Sequence, residues 1–131
     1  MPEQAPISEE VERIAREAVD AAFRVHTTLG PGLLETVYEA CLRHELSKRG
    51  FALQQQVTMP ITYDGLRLDG GLRLDLIVGG ELIVEVKAVE KLLPVHEAQL
   101  LTYLRLAQKR LGLLINFNVV RIKEGIRRFA L

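Results

Sequence analysis

Residues 72–88 read LRLDLIVGGELIVEVKA, and this stretch decides the fold because it holds two apolar segments separated by glycines. In Leu72–Val78 and in Leu82–Ala88, apolar side chains recur at every second position. This period of two is typical of β-strands that bury one face. The glycines between the segments suit a three-residue turn, Gly79-Gly80-Glu81. The stretch therefore predicts an antiparallel β-hairpin.

The two apolar rows also predict the register of this hairpin. Directly opposed residues in an antiparallel pair point to the same face, and a slip of one residue would expose an entire row. Both rows are buried together in only one register. Its predicted pairs are Val78 with Leu82, Leu76 with Val84, and Leu74 with Val86.

The same register brings charged residues together on the other face, with Asp75 opposite Glu85 and Arg73 opposite Lys87. Two opposed carboxylates repel each other, and a divalent cation turns this repulsion into coordination because Mg²⁺ prefers oxygen ligands. Lys87 then lies beside the position that a phosphate on the metal would occupy. A second interpretation stays open, in which the four residues form a charge ladder on a solvated face.

The rest of the chain alternates between helical and strand patterns, which predicts an α/β fold with a mixed central sheet flanked by helices. The predicted order is α-α-β-β-β-α-β with a C-terminal hairpin. Before the central hairpin, the predicted elements are a helix capped by Ser8 that ends before Gly30-Pro31-Gly32, a helix with the stripe Leu34, Val37, Tyr38, Cys41, Leu42 and Leu46, a strand over Phe51–Thr62 broken near Pro60, and a turn at Asp64-Gly65. After the hairpin, they are a helix from Pro94 to Arg110, a strand over Leu113–Val119, and a hairpin over Val120–Phe129 around Glu124-Gly125.

Length and composition restrict the class of protein. The 131 residues suit one domain, 1–131, with residues 1–7 expected to be flexible, and 48% of the residues are hydrophobic. The single cysteine, Cys41, excludes an internal disulfide. No membrane span is expected, and the cytoplasm is the predicted location. Because 17 basic residues balance 17 acidic ones, any nucleic-acid site must concentrate positive charge locally.

Three motifs together resemble a known group of enzymes. Asp75 followed by Glu85-Val86-Lys87 resembles the metal-binding core of the PD-(D/E)XK nuclease superfamily, although Leu74 stands where the proline of that name would be. Residues 32–38, GLLETVY, match the signature of the small GxxExxY protein family, and residues 99–103, QLLTY, match a Q-x-x-x-Y element of exonuclease-type members. The similarity extends over residues 7–129, nearly the whole chain.

This resemblance implies a metal site and a metal-dependent nuclease activity. Asp75 and Glu85 would ligate Mg²⁺ or Mn²⁺, together with the backbone carbonyl of Val86. Glu35 would complete the metal shell directly or through water.

The remaining catalytic roles are also implied by the resemblance. Lys87 would position the attacking water or stabilise charge on the phosphate. Gln99 and Tyr103, one helical turn apart, would orient the substrate phosphate or the carboxylates. Helical periodicity alone is equally consistent with an amphipathic helix edge.

The expected partner is nucleic acid, with DNA favoured over RNA, and a homo-oligomer is compatible with the sequence. A binding module that holds nucleic acid or a protein partner without cutting is the alternative function, and a purely structural role is the second. The scarcity of aromatic side chains makes base stacking a poor expectation. The candidate contacts to the phosphate backbone are Arg73, Lys91, Arg105, Lys109, Arg121 and Lys123.

Overall fold

The computed structural model describes residues 5–131 of the chain. Its elements follow the predicted order α-α-β-β-β-α-β, with one further strand at the end. They are α1 (Glu9–Leu29), α2 (Glu35–Lys48), β1 (Leu53–Tyr63), β2 (Leu66–Val78), β3 (Leu82–Lys87), α3 (Pro94–Ala107), β4 (Leu111–Asn116), a 3₁₀ turn (Ile122–Gly125) and β5 (Ile126–Ala130).

The five strands form one mixed sheet in the order β1-β2-β3-β4-β5. β3 and β4 are parallel and are connected by α3, whereas every other neighbouring pair is antiparallel. One apolar cluster, here called the α1/α2 cluster, joins α1 and α2 to one face of the sheet. A second cluster, here called the α3 cluster, joins Leu100 and Leu104 of α3 to the other face. The predicted α/β architecture is confirmed.

The start and end of α1 follow directly from its sequence. The Ser8 hydroxyl accepts a hydrogen bond from the backbone nitrogen of Val11 at 3.2 Å, as expected of an N-cap residue. Ala18, Ala21 and Ala22 are fully buried, and their small side chains let α1 lie close to its neighbours. The helix ends at Gly30, whose φ of 71° is a conformation that glycine adopts without strain.

The predicted register of the β2–β3 hairpin is confirmed next to the turn, where Val78 pairs with Leu82 and Leu76 with Val84. The ladder ends at that second pair, so the predicted pairing of Leu74 with Val86 is wrong. The cause lies in β2, which does not keep one apolar face along its whole length.

β2 changes sides at Asp75. Leu72 and Leu74 pack in the α3 cluster, whereas Leu76 and Val78 pack in the α1/α2 cluster. The neighbouring strand β1 compensates at Gln56, which lies across from Asp75 and has a φ of 49°. A positive φ in a residue other than glycine interrupts the alternation of the strand. The expectation of one continuous apolar row from Leu72 to Val78 is therefore wrong.

Several element boundaries also differ from the predictions. β2 begins at Leu66 and continues through Gly70 and Gly71, so it starts well before the predicted strand over Leu72–Val78. α3 ends at Ala107 instead of Arg110, because Gln108 adopts the left-handed conformation with a φ of 57°. The break near Pro60 is confirmed as a register shift between Met59 and Ile61.

The C-terminal hairpin is formed by β4 and β5, and not within Val120–Phe129 as predicted. β4 spans Leu111–Asn116, so its first and last residues both precede those of the predicted strand, Leu113–Val119. In α2, Tyr38, Leu42 and Leu46 are buried as predicted, whereas Leu34 is 72% exposed. Of the segment expected to be flexible, residues 1–4 lie outside the described residues, and Ile7 packs against the α1/α2 cluster.

Candidate functional site

The acidic pair of the site lies where the β2–β3 ladder ends. Oε1 of Glu85 accepts a hydrogen bond from the backbone nitrogen of Asp75 at 3.1 Å. Oδ2 of Asp75 accepts one from the backbone nitrogen of Val86, also at 3.1 Å. Because Asp75 leaves the regular face alternation of β2, its side chain can reach across to β3 in place of a backbone carbonyl. The two acids are thus cross-strand neighbours joined through side chains instead of the ladder.

Glu85 is buried, with only 4% of its surface exposed. Burial, followed by the charge of Asp75 and hydrogen bonding between the two carboxyl groups, raises the pKa of Glu85 to about 9, while the backbone hydrogen bond from Asp75 and the charge of Lys87 oppose the shift. Two carboxyl groups so near each other cannot both be charged at low cost without a cation. The pair is therefore suited to share either a proton or a divalent metal ion.

The side chains fit the oxygen-ligand preference of Mg²⁺ or Mn²⁺. Each carboxyl group uses one oxygen to accept a backbone N–H and keeps the other for a further interaction. Across residues 5–131, no group of three or more His, Cys, Asp or Glu side chains is arranged to hold a metal ion. The Asp75 and Glu85 carboxyl groups would suffice to hold such an ion, because Mg²⁺ commonly takes one or two carboxylates and completes its shell with water and substrate.

Glu35, the first residue of α2, interacts electrostatically with Asp75 and Lys87. Burial raises its pKa, Lys87 and a backbone hydrogen bond from Ala88 lower it, and Asp75 and Glu39 raise it. These contacts bring Glu35 beside Lys87 and Asp75, although α2 and β3 are about 40 residues apart in the sequence. The structure thus gathers Glu35, Asp75, Glu85 and Lys87 in one region.

The helix α3 supplies the opposite wall of this region. Nε2 of Gln99 donates a hydrogen bond to the Tyr103 hydroxyl at 2.8 Å. Burial raises the pKa of Tyr103, with further contributions from Glu85 and Asp75, against a lowering by Gln99. Tyr103 therefore lies within electrostatic reach of both acids, and Gln99 orients its hydroxyl.

The charge-ladder interpretation finds no support in the described part of the chain, where no ion pair joins Arg73 or Lys87 to Asp75 or Glu85. Nε of Arg73 instead donates to Oε1 of Gln56 at 2.5 Å. Nε2 of Gln56 in turn donates to Oε1 of Glu39, a buried acid of α2, at 2.8 Å. Arg73 is thus held through the Gln56 amide and not by an ion pair with Asp75 or Glu85.

The other predicted phosphate contacts are scattered. Nζ of Lys109 donates to the carbonyl of Gly80 at 2.7 Å, just before β3 begins, whereas Glu85 and Lys87 lie at the opposite end of that strand. Arg105 lies near Lys109 and lines the same surface hollow. Lys91 is exposed in the loop between β3 and α3, close in sequence to the site. Arg121 and Lys123 are exposed before and within the 3₁₀ turn.

Some polar residues around the site were missed by the sequence analysis. Asn116 is buried at the end of β4, and in the β3–β4 register it lies beside Lys87. Asn118 follows two residues later. The signal was present, since two asparagines flank Phe117 inside an otherwise apolar run. Tyr38, expected to pack in the core, is fully buried and stacks on Phe117 with ring centroids 4.8 Å apart.

None of the helices between residues 5 and 131 is long and apolar enough to span a membrane.

Comparison with known proteins gives one family match. Residues 12–129 match the model of the PD-(D/E)XK nuclease superfamily. No curated protein and no solved structure matches the chain. The matched residues run from α1 to the last strand and include both acids and the lysine at the end of the β2–β3 ladder. The chain therefore belongs to the PD-(D/E)XK nuclease superfamily.

Proposed function

We propose that the protein is a metal-dependent nuclease that hydrolyses phosphodiester bonds at the site formed by Asp75, Glu85 and Lys87. The observation that carries this proposal is the hydrogen-bonded pair Asp75 and Glu85, one of them buried with a strongly raised pKa. Perturbed carboxyl groups that face each other beside a lysine are typical of catalytic sites. Membership of a nuclease superfamily supports the same reaction class.

Asp75 and Glu85 would hold Mg²⁺ or Mn²⁺, with the Val86 carbonyl as a third oxygen and Glu35 acting directly or through water. When bound, such an ion supplies a water of lowered pKa and neutralises charge that develops on the phosphate. Lys87, on the same strand two residues after Glu85, would hold a phosphate oxygen or the attacking water. Gln99 would keep the Tyr103 hydroxyl turned toward the substrate phosphate.

The motif Gly32–Tyr38 supports assignment to the GxxExxY branch of the superfamily, with the whole chain as one nuclease-like domain. DNA is the favoured substrate over RNA. Light scattering tests whether the chain forms a homo-oligomer. Of the proposed phosphate contacts, Arg73 lies two residues before Asp75 and Lys91 lies four residues after Lys87. The cytoplasmic location expected from the sequence stays a prediction.

The test is cleavage of end-labelled single- and double-stranded DNA and RNA, with Mg²⁺, with Mn²⁺ or with EDTA. We expect metal-dependent cleavage by the wild type and none by Asp75→Ala. The matched control is Asp69→Ala, which removes an exposed acid of the same strand that pairs with Arg67. If the wild type binds nucleic acid yet cuts no substrate with either metal, the protein is the binding module and the proposed activity is wrong.

A further inference from the structure

Asn116 forms hydrogen bonds that hold the chain segment after Lys87 in place. Its Oδ1 accepts a hydrogen bond from the backbone nitrogen of Val89 at 3.0 Å, and its Nδ2 donates to the carbonyl of Val89 at 2.9 Å. Both backbone groups of one residue are thus bound by one side-chain amide. Because Asn116 is only 2% exposed, these bonds are needed to satisfy a polar group that has left water.

Asn118 forms a hydrogen bond with the loop that precedes Glu35. Its Oδ1 accepts a hydrogen bond from the backbone nitrogen of Gly32 at 3.1 Å. The Tyr38 hydroxyl closes the same loop, since it donates to the Gly30 carbonyl at 2.6 Å and accepts from the backbone nitrogen of Leu33 at 3.0 Å. The loop between α1 and α2 is therefore held at two points just before the first residue of α2.

The two asparagines are themselves connected. The backbone nitrogen of Asn118 donates to Oδ1 of Asn116 at 3.2 Å, and Nδ2 of Asn118 donates to the Val89 carbonyl at 3.4 Å. Through this connection, the end of β4 joins the loop before Glu35 to the segment after Lys87. These two segments have no shared strand ladder that could set their distance.

We propose that Asn116 and Asn118 are positioning residues, which fix Glu35 and Lys87 relative to each other so that both act on one metal-bound phosphate. This inference rests on the proposed function. Neither asparagine touches the reacting atoms; each acts through the backbone that carries a site residue. Partners of this kind around metal sites typically change metal affinity or activity about 10- to 100-fold when they are removed, and small displacements of catalytic groups have effects of similar size.

The informative variants are Asn118→Ala, which releases the Gly32 amide, and Asn118→Asp, which keeps an oxygen in the same place to accept it. Asn116→Ala is added as the stronger disturbance, because it removes the acceptor of the Val89 and Asn118 backbone nitrogens and the nearer of the two donors to the Val89 carbonyl. Ser8→Ala is the matched control, since it removes one side-chain bond to a backbone nitrogen at the far end of α1. Each variant is assayed for Mn²⁺ affinity by calorimetry, for kcat and KM per folded molecule, and for its urea unfolding midpoint.

We expect Asn118→Ala to lower kcat about tenfold or more and to weaken Mn²⁺ binding by a similar factor, with KM changed by less than about twofold. Asn118→Asp should recover most of both losses. Ser8→Ala should lower the unfolding midpoint and leave kcat and Mn²⁺ affinity at the wild-type values. Asn116→Ala, where it folds, should be at least as impaired as Asn118→Ala.

Two results overturn the inference. If Asn118→Ala lowers only the unfolding midpoint, as the Ser8 control does, the asparagines serve the fold and not the site. If the wild type binds Mn²⁺ but cuts nothing, the proposed function fails first, and Mn²⁺ affinity alone then decides: equal affinity in Asn118→Ala and wild type overturns the positioning role as well. A wild type that neither binds Mn²⁺ nor cuts overturns both.

Discussion

The side chains of Glu85 and Asp75 each accept a hydrogen bond from a backbone nitrogen of the other's strand. Oε1 of Glu85 accepts from Asp75, and Oδ2 of Asp75 accepts from Val86, each at 3.1 Å. These two bonds stand where ladder hydrogen bonds between β2 and β3 would continue. The acids are therefore fixed by the fold itself, and a metal ion would find its ligands already in place. Such preorganisation lowers the cost of assembling a site at the moment of binding.

The first prediction concerns metal affinity. Asp75→Asn keeps the size of the side chain but removes one of the two charges that attract a cation, so Mn²⁺ binding should weaken at least about tenfold. Titration calorimetry at neutral pH measures this affinity. Asp69→Asn, an exposed acid on the same strand, should bind Mn²⁺ like the wild type. Equal affinities in all three proteins would remove Asp75 from the metal site.

The second prediction concerns the pH dependence of stability without metal. Burial, followed by the charge of Asp75, raises the pKa of Glu85 from 4.5 to about 9 in the folded chain. A carboxyl group with a raised folded pKa stabilises the fold in its protonated form. This stabilisation is complete below about pH 4.5 and is lost as the pH rises toward about 9. In EDTA, the free energy of unfolding should therefore fall across this range.

Urea denaturation near pH 5, 7 and 9 measures this loss. Glu85→Gln cannot ionise at this position, so its stability should change less over the same range. Glu81→Gln, in the exposed turn before β3, is the matched control and should follow the wild type. If Glu85→Gln and wild type lose stability in parallel, the burial of an ionisable Glu85 is not the cause.

The third prediction separates catalysis from metal binding at Lys87. Lys87→Ala should abolish cleavage, because the charge that stabilises the phosphate is lost. Mn²⁺ affinity should persist or increase, since Lys87 lowers the pKa of Glu85 and competes with the cation for its charge. Cleavage and calorimetry on one preparation give both values. Lys48→Ala, in the last turn of α2, should cut normally, and an active Lys87→Ala would refute the assignment.

The fourth prediction concerns stability away from the site. Arg49 joins α1 to α2, with Nη1 at 2.7 Å from Asp20 and 3.3 Å from Glu17, and Nε at 3.1 Å from Glu45. Arg49→Ala should lower the free energy of unfolding by about 1 kcal/mol, and by less in high salt, because partly exposed ion pairs are screened. Urea denaturation measures the change. Arg67→Ala, which removes one exposed pair, should have a smaller effect, and the reverse order would contradict the network.

The sequence predicted the fold well where a local pattern determines structure. The Ser8 cap, the turn after Val78 and the register beside it all follow from residues close in the chain. The pairing of Leu74 with Val86 failed because the change of face at Asp75 depends on Gln56, a residue of the neighbouring strand. Period-two patterns describe one strand at a time and cannot reveal such a paired irregularity.

The candidate site was predictable in composition more than in geometry. The proximity of Glu35, Gln99 and Tyr103 to the acids came from motif resemblance, because helical periodicity does not specify which end of a helix faces a sheet edge. The positions of the basic residues relative to the site were not predictable, because they depend on the tertiary fold. Lys109, for example, donates a hydrogen bond to the Gly80 carbonyl, which is distant in sequence. The asparagines at the end of β4 were overlooked because their bonds are to backbone groups distant in sequence.

The contact of β2 with both apolar clusters also determines how the protein unfolds. Leu74 belongs to one side of the molecule and Leu76 to the other, although a single residue separates them. Both helical layers pack on this one strand, because Leu76 and Val78 lie in the α1/α2 cluster and Leu72, Leu74 and Ile77 lie in the α3 cluster. Slow-exchanging amides in α1 and α3 should therefore report one common opening free energy, that of a single cooperative unit.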